Sequence, residues 1–153
     1  MKLPVYLSLL SESEATLGRS FLQVAEAHGD EPDVHFLCIS LAKQCATHRQ
    51  RLQPAIARYG TAADGDEPDR LHADAIDEPR SGPLGLLRDL QDLYLLASLT
   101  DVTWTMVEQA GQALQDKELL DVVGACEKET SVQLRWLITR MKQAAPQALI
   151  AAK

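Results

Sequence analysis

The chain has 153 residues, 46% of them hydrophobic and 24% charged, with a formal net charge of −7. That length suits one domain with a continuous core. An acidic chain without a basic stripe argues against nucleic acid, whose phosphates are bound through Lys and Arg, and against an anionic membrane surface.

The stretch from Pro4 to Gly29 predicts the first helix. Leu7, Leu10, Glu14, Leu17, Phe21, Val24 and His28 recur in steps of three and four, which places them on one helical face. Pro4 suits the first turn and Gly29 the stop. The apolar start, Pro4 to Leu10, is brief and no small-residue cleavage site follows it, so it reads as helix rather than signal peptide. No run approaches the length of a membrane span. The expected location is the cytoplasm.

Asp33 is the expected cap of a second helix that runs to Tyr59 and stops at Gly60. Val34, Cys38, Leu41, Cys45, His48, Leu52, Ala55 and Tyr59 share its inner face. Pro54 removes a backbone donor and crowds the preceding turn, which predicts a kink or short break. Residues 61–82 lack sustained periodicity and carry Asp64, Asp66, Glu67, Asp69, Asp74, Asp77 and Glu78 with Gly65, Pro68 and Pro79. A stretch this long inside a compact domain fits a crossover, extended enough to run the length of a helix. Its acidic residues are expected to be solvated.

The third helix begins after Ser81 and Pro83 and extends to Gln115. Leu86, Leu90, Leu93, Ala97, Thr100, Trp104 and Val107 point one way, while Leu95, Val102 and Met106 widen the apolar arc. More apolar surface than one core requires wants a second partner, so a homodimer through this helix is expected. Asp116 caps a fourth helix with Leu119, Val123, Cys126, Thr130, Gln133, Leu137 and Met141 inside; Pro146 should end it near Ala144. The expected fold is therefore all-α: a four-helix bundle in one domain, residues 1–153. It comprises a hairpin over 4–60, an acidic crossover over 61–82 and a hairpin over 83–145.

Three residues able to donate to a metal interrupt the inner faces of the first hairpin. Glu14 lies among leucines, and Cys45 and His48 sit one turn apart on the facing helix. As a set of N, S and O donors, Glu14, Cys45 and His48 could hold a single zinc or iron ion with an open position for water. Alternatively, Cys45 is a small buried residue and His48 contacts Glu14, since a buried carboxylate must be paired or protonated. A third reading is a small-ligand pocket lined by Glu14, His48, Thr130 and Gln133, with Asp101 at its edge. Cys38, Cys45 and Cys126 all fall on apolar faces, so packing rather than redox chemistry is expected of them. His28 is expected to interact with the C-terminal dipole of the first helix; His35 and His72 stand isolated.

Two hairpins joined by a long crossover, with polar residues at mid-helix core positions, resemble the ferritin-like superfamily. The stretches LLRDLQDLYLLASLTD and ELLDVVGACEKETSVQLRWL are also similar to bacterial stress-associated ferritin-like proteins of unknown function. In the metal-binding members each hairpin supplies a Glu from its first helix and a Glu-x-x-His pair from its second. Carried onto this chain, Glu14 takes the first position and His48 the histidine, but Cys45 replaces the paired glutamate. The second hairpin offers Ala97, Thr100 and Trp104, then Thr130 and Gln133, with Asp101 and Glu129 on the flanks. The resemblance thus implies a non-catalytic bundle with a degenerate di-metal site, no resident cofactor, and a stress-associated or protein-interaction role.

Overall fold

The computed structural model describes residues 1–62, 74–76 and 78–153. Asp64, Gly65, Asp66, Glu67, Pro68, Asp69, His72 and Asp77 lie outside the described residues. Four helices make up the described chain: α1 (Leu3–Ala27), α2 (Pro32–Tyr59), α3 (Gly82–Leu114) and α4 (Lys117–Pro146), followed by one π-helical turn, Gln147–Ala151. No strand occurs among the described residues. None of the helices is long and apolar enough to cross a membrane.

The helices pack antiparallel around the inner faces read from the sequence. At one end Leu3, Leu7 and Leu10 meet Leu52, Ala55, Trp104, Val107, Leu119 and Val123. At the other, Leu17, Phe21 and Val24 meet Val34, Cys38, Leu86, Leu90, Leu137 and Ala144. Thus α1 and α4 run one way, and α2 and α3 the other. Tyr59 and Gly82 consequently stand at opposite ends of the bundle. Ile76 is buried in the second cluster, and its backbone N–H donates to Ser20 Oγ at 3.2 Å. Asp74 and Glu78 are exposed, as expected for solvated acids.

Helix ends depart from expectation where tertiary contacts intervene. α1 stops at Ala27 rather than Gly29, and α2 begins at Pro32 with Glu31 at the cap position. Asp33 is therefore inside the first turn, and it accepts from Arg140 Nε at 2.7 Å while Arg140 also reaches Glu31 at 3.1 Å. A cross-helix ion pair takes the carboxylate that a cap would have used. α2 continues unbroken across Pro54, because a proline forfeits only one donor when packing on both sides holds the helix. α4 passes Ala144 and includes Pro146, and the chain turns on in the wider π geometry, where Ala152 N–H donates to Gln147 O at 2.8 Å. Proline removes an α-type donor but does not forbid continuation.

His28 also departs from the dipole reading. It is buried, and its Nε2 lies 2.8 Å from Asp89 Oδ2 on α3. Asp89 is fully buried and further accepts from the Arg80 backbone N–H at 2.9 Å and guanidinium at 2.8 Å. His35 is not isolated either: its Nδ1 sits 2.7 Å from Ala25 O, tying α2 back to α1.

The α3–α4 turn follows the sequence reading. Asp116 Oδ1 accepts the Leu119 N–H at 3.0 Å, and its other oxygen accepts from the Tyr59 hydroxyl and from Arg58 at 3.0 Å. The Tyr59 hydroxyl, the Leu119 amide and Arg58 hold the Asp116 carboxyl at about 2, below its ordinary value of 3.8. Because the folded pKa is depressed, this stabilisation is complete above the unfolded value and is lost as pH falls through the folded one. Asp116→Ala should lower stability by about 1 kcal/mol at neutral pH and flatten the pH dependence of urea unfolding between pH 4 and 2. Gln115 immediately before it is held in the left-handed region at φ 53°. Gln115→Gly should raise the urea midpoint, by up to about 1 kcal/mol in stability, because glycine has no Cβ to strain there.

Candidate functional site

Between the two apolar clusters lies a polar layer to which every helix contributes. Glu14, His48, Thr100, Thr130 and Gln133 are all buried there, each flanked along its own helix by core hydrophobics. The periodicity that brings leucines inward brings these residues inward too.

Glu14 is the hub. Its Oε1 accepts the Trp104 indole N–H at 2.9 Å and lies 2.9 Å from His48 Nδ1. Trp104 can only donate, so this oxygen is an acceptor, and His48 presents its Nδ1–H to it. The imidazole and indole meet edge to face, with centroids 6.1 Å apart. His48 Nε2 has no hydrogen-bond partner and lies 3.4 Å from Glu129 Oε1, which Arg51 approaches at 3.6 Å. A line of polar groups therefore runs from the core outward: Trp104, Glu14, His48, Glu129, Arg51. Glu14 Oε2 and Gln133 Oε1 are buried without partners.

Cys45 packs beside this carboxylate, close against α1 at Gly18. A Cβ at Gly18 would stand 3.2 Å from Cys45 Cβ, so this approach depends on the glycine. Burial pushes the Cys45 thiol far above its ordinary range, and the negative Glu14 adds to the effect. Burial pushes Cys38 and Cys126 up to about 12. All three cysteines are free, buried and held as thiols. Cys38 and Cys45 face negative charge, and Arg51 beside Cys126 does not offset the burial that keeps that thiol protonated.

The remaining sequence candidates divide. Gln133 donates to Gln44 Oε1 at 3.0 Å, and Thr130 turns its hydroxyl onto the Cys126 carbonyl at 2.9 Å. Thr100 bonds Ser13 across the α1–α3 contact at 2.6 Å. Asp101 is half-buried on the α3–α4 side, its pKa raised by burial; burial also raises Glu127, with repulsion from Glu108 and Asp101 adding to it. The structure thus joins Glu14, Cys45 and His48 with Gln133, and leaves Asp101 at a different surface. Among the described residues, no three His, Cys, Asp or Glu side chains converge as a metal-binding group. Thr100, Thr130 and Gln133, the buried polar residues that α3 and α4 bring to this layer, include no carboxylate.

Sequence reasoning missed Trp104 as a donor to Glu14, and Glu129 as the outer neighbour of His48. The inward register of Trp104 was visible, and a buried indole N–H must find an acceptor. No family model, curated protein or solved structure matches this chain.

Two measurements check the site. Glu14→Ala should cost about 3–5 kcal/mol by urea unfolding, since it strands two buried N–H donors; Glu14→Gln keeps an acceptor and should recover most of that loss. A thiol-alkylating reagent should leave the native protein unmodified over hours and label all three cysteines in denaturant.

Proposed function

We propose that this chain is a ferritin-like bundle, with residues 61–82 as its crossover, that works without catalysis. Its mid-core polar layer sets helix register where metal-binding relatives of that architecture place their ions. Its role is then to present a shape to another protein, the stress-associated or interaction role implied by the resemblance. The observation that carries this reading is the shared oxygen of Glu14. Two N–H donors at 2.9 Å, from His48 and Trp104, take up one oxygen of the carboxylate that would otherwise be a ligand. An indole cannot ligate a metal, and here it stands against the one core carboxylate of α1.

The test is elemental analysis after loading the protein with iron and with zinc, followed by removal of excess metal. The expected result is substoichiometric metal that does not change when His48 becomes Ala. Stoichiometric metal abolished by His48→Ala would overturn the proposal in favour of an ion held by Glu14, Cys45 and His48.

One observation favours a second reading, a small-ligand site. A groove of about 190 Å³ between α1 and α2 reaches Glu14 and Cys45, with Arg19 and Arg49 at its rim. The unpartnered Glu14 Oε2 could accept from a ligand N–H there. A rise in Tm with a small amino acid, lost in Glu14→Gln, would support it.

A further inference from the structure

α3 has a second apolar face that the bundle does not use. Leu84, Leu95, Val102 and Met106 are 54%, 67%, 51% and 46% exposed. With Leu99 and Ala113 they fall within an arc of about 60° at 3.6 residues per turn. Along this line no charged residue occurs between Arg88 and the end of the helix. Loss of charge from an exposed apolar strip is the compositional mark of a protein interface core. A net charge of −7, with Arg88 the one basic residue on this arc of α3, does not favour an anionic lipid surface.

The face continues into a groove of about 360 Å³ formed where the start of α1 meets the end of α3. Leu3, Tyr6, Met106, Ala110, Ala113 and Leu114 line it. The strip is also self-complementary when reversed. Reflected about the point between Ser98 and Leu99, Leu95 falls opposite Val102, and Leu84 falls opposite Ala113, which walls the groove. One axis satisfies both pairings, as a two-fold contact between identical surfaces requires.

We propose that two copies of this chain pair antiparallel through the outer face of α3, about a two-fold axis between Ser98 and Leu99. In the pair Leu84 of each copy enters the groove of the other. A helix of 33 residues is about 50 Å long and about 10 Å across, so the face covers on the order of 500 Å² per copy. Pairing then buries on the order of 1,000 Å² in total, where specific interfaces begin, and the α1 wall of the groove adds to it.

Light scattering coupled to size exclusion at micromolar concentration should give a dimer mass. Val102→Asp should halve that mass while leaving helicity unchanged. Because the native thiols are buried, an added surface cysteine reports alone. Leu99→Cys should form an inter-chain disulfide under mild oxidation, and Lys128→Cys, on the exposed side of α4, should not. A wild-type monomer at 100 µM overturns the proposal and leaves the face to a different partner. So does a Val102→Asp protein that keeps its mass, or a Lys128→Cys protein that crosslinks as fast as Leu99→Cys.

Discussion

A buried carboxylate at the centre of the bundle constrains everything around it. Glu14 is surrounded by an apolar interior in which an unpaired charge is costly, and it meets that cost with donors from two other helices. His48 comes from α2 and Trp104 from α3, both to the same oxygen. Leucine packing alone tolerates sliding by a turn, because one leucine resembles the next. A carboxylate that must meet one imidazole and one indole admits a single register. The layer therefore acts as a positional key for three helices, with Gln133 and Gln44 adding a bond between α2 and α4.

That key was half legible in the sequence. Glu14 and His48 announced themselves as interruptions in regular apolar stripes, and a buried carboxylate had to be either paired or protonated. Trp104 could be placed on the inner face, but nothing in the chain says which buried oxygen its N–H finds across 90 positions. His28 and Asp89 were harder still. Their pairing spans 61 positions, and Asp89 hides within the leucine-rich start of α3, where the reading followed Leu86 and Leu90 past it. A carboxylate inside such a run was the available signal. Helix termini were misplaced where tertiary contacts overrode local preference, as when Arg140 claimed both Glu31 and Asp33. The outer stripe of α3 was readable because exposure leaves the 3.6-residue period undisturbed.

The two ends of the bundle are secured differently. Near Tyr59, an N-cap aspartate gathers a phenol, a guanidinium and a backbone amide at the surface. Near Gly82, a buried aspartate gathers an imidazole, a guanidinium and a backbone amide in the interior. Arg80, the donor of two of these bonds, belongs to the segment that leads into α3. The entry of α3 is thus fixed by polar contacts to the end of α1, while its exit is fixed by the tight turn into α4.

The span of these polar bonds also orders the assembly of the molecule. Within each hairpin, α1 with α2 and α3 with α4, partners are close in sequence and closure costs little entropy. The Glu14–Trp104 and His28–Asp89 contacts join the hairpins and must wait until a long loop has closed. They belong to the late side of the folding barrier, where interactions govern how fast the native state opens more than how fast it forms. The polar contacts between α1 and α3 are therefore the latch of this bundle: they set the lifetime of the folded protein, while the hairpins set its speed of folding.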